Sequence, residues 1–135
     1  MQEFIAYGRV ASIPADAIGK TGNGHTRFKF DFVCSSSLKD EHGKIISSFF
    51  HVRVYENQAE LLAQSLVKGS PILLKGEILQ KPYFNKNGEK RSYQYIVPSK
   101  QGGVTFLESV EAAKRRREKQ QNTSSSNLER VDSSK

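Results

Sequence analysis

From Lys81 to Tyr93 the chain reads Lys-Pro-Tyr-Phe-Asn-Lys-Asn-Gly-Glu-Lys-Arg-Ser-Tyr, with three aromatic rings interleaved among four cations. Flat π-faces stack on unpaired bases and cations neutralise phosphates, and a protein that holds a single nucleic-acid strand must offer both. The same composition also suits a plain solvated hairpin in which Tyr83 and Tyr93 form a cross-strand pair. Asn87-Gly88, at the centre, tolerates the positive φ angles of a tight turn, so two strands are predicted to meet there.

The formal charge of +7 suits a polyanionic partner, and its placement is local. Between Lys75 and Lys100 six cations (Lys75, Lys81, Lys86, Lys90, Arg91 and Lys100) face two carboxylates, Glu77 and Glu89. From Ser109 onward seven cations oppose four carboxylates, and the rest of the chain is neutral. The basic run Lys114, Arg115, Arg116, Arg117 and Lys119 reads as a solvated helix end rather than as a second phosphate site.

Other chemistry fails on spacing. Gly19-Lys20-Thr21 ends like a phosphate-binding P-loop, but that loop needs a glycine where Pro14 stands. Gly22-Asn23-Gly24 lacks the third glycine of a dinucleotide fingerprint. His25, His42 and His51 have no metal-ligand spacing, and Ser35-Ser36-Ser37 has no nucleophile context. Asp40-Glu41 sits in a polar turn rather than in a paired acid/base site. The expectation is a protein that is not an enzyme and needs no cofactor or metal. Cys34 is the sole cysteine, which excludes an intramolecular disulfide, and the cytoplasm is the expected compartment. No apolar run is long enough to span a membrane, and Met1-Gln2-Glu3-Phe4 does not open a secretory signal.

These residues need a scaffold, and the chain has length for one domain with a proper core. Phe4 to Ile13 reads as a strand, with Gly8 a bulge or a close backbone approach. Pro14 to Thr26 reads as a loop. Arg27 to Phe32 alternates strictly, with Phe28, Phe30 and Phe32 on one face and Arg27, Lys29 and Asp31 on the other. Ser35 to Lys44 reads as loop, then Ile45 to Tyr55 as a strand aromatic on both faces. Ala59, Leu62, Ala63 and Leu66 have helical spacing over 57–67, and Lys68-Gly69 supplies a stop. Pro71 to Gln80 is the next strand, the basic-aromatic hairpin returns through Tyr95 and Val97, and a short strand surrounds Val104 to Phe106. A helix follows, with Phe106, Val110 and Ala113 on one side, running out into solvent at Arg115-Arg116-Arg117. From Gln120 the chain reads as a disordered tail. One helix between the third and fourth strands of an all-β domain points to a five-stranded OB-fold barrel over 1–108, followed by a basic C-terminal helix and tail over 109–135.

The run Phe49-Phe50-His51-Val52-Arg53-Val54 resembles the bacterial single-stranded DNA-binding protein family. The similarity continues through Gln58-Ala59-Glu60-Leu61-Leu62-Ala63, Leu66-Val67-Lys68-Gly69-Ser70 and Ile72-Leu73-Leu74-Lys75-Gly76-Glu77-Ile78 to Asn87-Gly88-Glu89-Lys90-Arg91-Ser92-Tyr93. It covers roughly 45–97, is diffuse from Phe4 to Ser37 and is absent from the tail. The resemblance implies an OB-fold homo-oligomer that coats single-stranded DNA without strong sequence preference. Phe50 takes the place of one base-stacking Trp and Tyr83 of another, and Arg91 falls on a matching Arg. Tyr55 roughly occupies a stacking Phe position, with a one-residue gap near Glu56, and His51 matches a His associated with subunit contacts.

The departures from the family are specific. There is no Trp, Leu38 stands where a third stacking Trp is frequent, and Ser65 replaces a frequent Tyr. The end, Leu128-Glu129-Arg130-Val131-Asp132-Ser133-Ser134-Lys135, is not the family's acidic, hydrophobic tip, so the recruitment of replication proteins through it does not carry over. A divergent accessory member, of the kind carried by a plasmid, conjugative element or phage, fits these departures. The expected DNA-binding residues are Arg27, Lys29, Arg53, Lys75, Lys81, Lys86, Lys90 and Arg91 for phosphates, with Phe50, Tyr55, Tyr83, Phe84 and Tyr93 as stacking candidates. Tyr83 and Phe84 point to opposite faces, so one of the two stacks. The sequence does not separate DNA from RNA. The alternative reading is a primosome-like or conjugation accessory protein whose barrel mainly contacts other proteins.

Overall fold

Alternation decides which side of each strand is buried. In the computed structural model, Phe28, Phe30 and Phe32 lie inside a barrel with Val10, Val52, Val54, Ile72, Leu74 and Ile96. The structure describes residues 1–109, 111–112 and 114–121. In chain order these form β1 (Phe4–Ser12), β2 (Ile18–Lys20), β3 (Thr26–Lys39), β4 (Ile45–Tyr55), α1 (Glu56–Ser65), β5 (Pro71–Phe84), β6 (Lys90–Pro98) and β7 (Val104–Phe106). A second helix, α2, covers 111–112 and 114–121.

Five strands close on themselves in the order β1-β3-β4-β6-β5, with β5 returning to β1. All neighbours are antiparallel except β4 and β6, which run parallel where Val52 meets Ile96. Closure leaves no bare edge on those five strands, and a single helix between β4 and β5 completes the OB-fold. α1 buries Ala59 and Leu62, and Leu66 just beyond it is buried too. The Phe28, Phe30 and Phe32 face read from the alternation is thus the inner one, and Ile78 packs at the margin of the core.

Local details differ from the sequence reading. β2 pairs with β3 inside the stretch expected to be loop, and β3 continues through Ser35 to Lys39. The helix stops at Ser65, with Leu66 already extended. Gly69, at φ 89°, instead serves the turn that leads into β5, where its N–H donates to the Val10 carbonyl at 2.8 Å. Gly8 is a close backbone approach: a Cβ there would sit 2.1 Å from the Val33 carbonyl oxygen.

α2 is largely exposed, as expected of its basic run, but it is tied back to the barrel. Arg116 reaches Glu108 at 3.0 Å, Arg117 donates to the Gln64 carbonyl at 3.1 Å, and Gln120 donates to the Lys68 carbonyl at 2.7 Å. Residues 114–121 are helical, so the helix includes Gln120 and Gln121, which the sequence reading placed in the tail. The stripe positions Val110 and Ala113, and the chain from 122 onward, lie outside the described residues.

Candidate nucleic-acid interface

Cross-strand partners in a ladder share a face, so the register shows which outer side chains meet. On β3 and β4 the outward pairs are Arg27 with Tyr55, Lys29 with Arg53, and Asp31 with His51. On β5 and β6 they are Leu79 with Tyr95, Lys81 with Tyr93, and Tyr83 with Arg91. β4 and β6 are adjacent, so both sets belong to one continuous outer surface crossing β3, β4, β6 and β5. Four rings and five cations thereby meet although they come from distant parts of the chain: Tyr55, Tyr83, Tyr93 and Tyr95, with Arg27, Lys29, Arg53, Lys81 and Arg91.

Arg53 is the centre of this surface. Its guanidinium lies 5.0 Å from the Tyr93 ring centroid and 4.8 Å from that of Tyr95, and it donates to the Tyr93 hydroxyl at 3.3 Å. Cation–π contacts of this kind contribute about 0.5–2 kcal/mol each. His51 stacks on the other flank of Tyr93, centroids 5.4 Å apart and planes 23° from parallel, and Tyr93 leans on Tyr95 at 5.7 Å. The rings are thus held in place before any ligand arrives, which lowers the entropy lost on binding. A hollow of about 410 Å³ opens among Arg53, Lys81, Tyr83 and Tyr93. Arg27 and Arg53 each keep a buried Nε–H with no hydrogen-bond partner.

Two strands do meet at Asn87-Gly88, and the turn that joins them spans 85–89. Asn85 opens a five-residue turn in which its side-chain oxygen accepts from the Asn87 and Glu89 N–H groups, both at 2.9 Å. Only Gly88, at φ 76°, takes a positive φ there; Asn87 does not. The same design closes the β3–β4 hairpin with Asp40 and Gly43, and the β2–β3 hairpin with Thr21 and Gly24. Tyr83 faces Arg91 and Lys81 faces Tyr93, so the Tyr83–Tyr93 pair of the plain-hairpin reading does not form.

The remaining expected residues are spread more widely. Lys86 is in the turn, while Phe84 and Lys90 pair on the opposite face of the arm from Tyr83. Lys75 lies opposite Ile5 of β1 and is ion-paired with Glu3 at 3.0 Å. Phe50 shares its face with Val52 and Val54; its half-buried ring packs on the core and meets Phe4 edge-on at 5.3 Å. The ring that β4 turns outward is its neighbour Phe49, 69% exposed. Residues missing from the sequence-based set are Phe49, His51 as a ring partner, and Tyr95; for Tyr95 the two-residue spacing from Tyr93 was the available signal.

Several cations have carboxylate partners at the surface. Lys29 binds Asp16 at 3.0 Å, and this ammonium holds the Asp16 carboxyl below its usual range. Arg91 binds Glu89 at 2.7 Å. Solvent screens exposed pairs like these, so a phosphate can displace the carboxylate at little cost. Among the described residues no group of three or more His, Cys, Asp or Glu is placed to hold a metal ion, and no helix is long and apolar enough to cross a membrane. Burial pushes the Cys34 thiol up, away from the thiolate form.

A model of the single-strand binding protein family matches residues 1–106, ending with β7. Among solved structures, the chain is similar to the small single-stranded DNA-binding protein from Streptomyces coelicolor, at 20% identity over 78% of this chain and 93% of that one, with a TM-score of 0.57. It is also similar to the Plasmodium falciparum SSB solved as a complex with ssDNA, at 21% identity over 80% and 96% of the two chains, with a TM-score of 0.68. No curated protein matches the chain.

Proposed function

The chain belongs to the single-strand binding protein family, and from that premise we propose that it binds single-stranded DNA by base stacking and phosphate contacts, without strong sequence preference and without enzymatic activity. The observation that carries this reading is the single outer surface on which Arg53 holds Tyr93 and Tyr95 beside Tyr83, Lys81 and Arg91. Stacked rings accept any base, because every base has a π-face, and the surrounding cations follow the sugar–phosphate backbone. Arg27, Lys29 and Tyr55 extend the path along β3 and β4, and the Lys86–Lys90 arm extends it past the barrel.

The binding domain is assigned to 1–108, with 109–135 as a C-terminal extension, and the protein is assigned to the cytoplasm as a homo-oligomer. Exposed Ile5 and Tyr7 on β1 supply apolar surface for contact between copies. Fluorescence anisotropy with single-stranded DNA, single-stranded RNA and duplex of equal length tests the function. Single-stranded DNA binds most tightly, and Tyr83→Ala weakens it by roughly 1–3 kcal/mol, about fivefold to a hundredfold or more. Equal affinity for duplex and single strand, unaffected by Tyr83→Ala, would instead point to a barrel that serves protein contacts.

A further inference from the structure

One carboxylate interrupts the basic outer surface. Asp31 sits beside Lys29 on β3 and opposite His51 on β4, where a phosphate would be repelled. It is held firmly: the Ser12 hydroxyl donates to one of its oxygens at 3.0 Å, and His51 Nδ1 lies 2.7 Å from the other. Each carboxylate oxygen accepts about two hydrogen bonds, so acceptor capacity is left on both, and the side chain is 38% exposed. It borders a cavity of about 240 Å³ lined also by Pro14, Lys29, His51, Arg53 and Tyr93. At about 30 Å³ per water that is room for roughly eight waters, more than the volume of one base.

We propose that this cavity is a subsite for one base, and that Asp31 makes it prefer cytosine to uracil; the inference rests on the single-strand binding proposed above. A neutral, planar group fits beside the stacked His51 and Tyr93 rings, and the carboxylate requires an N–H donor. Cytosine offers its 4-amino group to Asp31, a pairing that carboxylates make with this base. Its N3 and O2 acceptors then suit the Lys29 and Arg53 cations on the same wall. Uracil presents a carbonyl at position 4, and its one N–H is flanked by two carbonyls, so turning it to Asp31 brings an oxygen against the carboxylate. Guanine and adenine also carry donors for Asp31, so the discrimination lies between the two pyrimidines.

Anisotropy titrations of the full chain with oligo(dC) and oligo(dU) of equal length, at one salt concentration and neutral pH, test the subsite. One hydrogen bond gained is worth about a fivefold preference for oligo(dC). Asp31→Asn removes that preference and tightens oligo(dU), because a negative charge leaves the surface; Asp31→Ser, which also lacks the carboxylate, does the same. Equal affinities in the wild type, or a preference that survives both variants, overturn the subsite and leave the general function standing. Failure of the wild type to bind either homopolymer overturns the general function and the subsite with it.

Discussion

At the scale of single residues, β4 decides which rings reach a ligand. The strand's period of two puts Phe50 with Val52 and Val54, against the core and Phe4, and puts Phe49 outward with His51, Arg53 and Tyr55. The alternation was readable in the sequence, because Phe28, Phe30, Phe32, Val52 and Val54 announce the inner face by type alone. The same alternation sets Phe49 on the outer face, opposite Phe50, and only the choice between the two as stacking ring came from elsewhere. Phe49 and Phe50 are identical in chemistry, and a resemblance aligned on an aromatic followed by His selects Phe50, one residue from the exposed ring. Composition could not reveal the Arg53 clamp either, since Tyr93 and Tyr95 join it only when β6 lies beside β4. The two phenylalanines therefore separate stability from binding. Phe50→Ala lowers unfolding free energy by about 2 kcal/mol, somewhat less than a fully buried Phe would cost. Phe49→Ala leaves stability within about 0.5 kcal/mol and weakens single-strand binding by roughly 1–3 kcal/mol. Urea unfolding and anisotropy on both variants check this, and the reverse pattern would restore Phe50 as the stacking ring.

At the scale of elements, junctions rather than strands carried what the sequence concealed. The three hairpin turns share a polar residue at the first position and Gly at the fourth, Thr21 to Gly24, Asp40 to Gly43 and Asn85 to Gly88. That pattern is visible in the chain once its hydrogen bonds are known, whereas Asn87-Gly88 read alone misses Asn85, which opens the turn. The β4–α1 junction carries no signal at all. Glu56 opens α1 at φ 58°, the sole positive φ at a non-glycine among the described residues. No cap bonds the helix start, and the Glu56 carboxylate contacts only His25, at 3.1 Å, with both side chains about half exposed. Left-handed backbone costs an L-residue about 1–2 kcal/mol, and glycine removes that cost while adding entropy to the unfolded chain. Glu56→Gly is accordingly expected to stabilise the protein by about 0.5–1 kcal/mol, read as a rise in the urea midpoint at constant slope. An unchanged or lowered midpoint would mean that the His25 contact outweighs the backbone strain.

At the scale of the whole molecule, the question is whether the +7 charge acts as a diffuse field or as placed contacts. The fold argues for placement. Lys75 and Lys81 stand on the same strand with the same outward parity, but six residues, about 20 Å, apart. Lys75 lies where β5 pairs with β1 and is held by Glu3, whereas Lys81 borders the hollow beside Tyr83 and Tyr93. That separation exceeds the screening length of roughly 8–10 Å at physiological salt, so a phosphate beside Lys81 scarcely feels Lys75. Each phosphate contact on a single strand adds about 0.7 to the slope of log affinity against log salt. Four such contacts give a slope near −2.8, or about a 50-fold loss between roughly 50 and 200 mM salt. Lys81→Ala should then flatten the slope by about 0.7, and Lys75→Ala should leave it unchanged. Anisotropy across a salt series on both variants makes the comparison. Equal flattening by the two substitutions would show that the cations act together as a basic surface, and that the ring-bearing face does not set the strand's path.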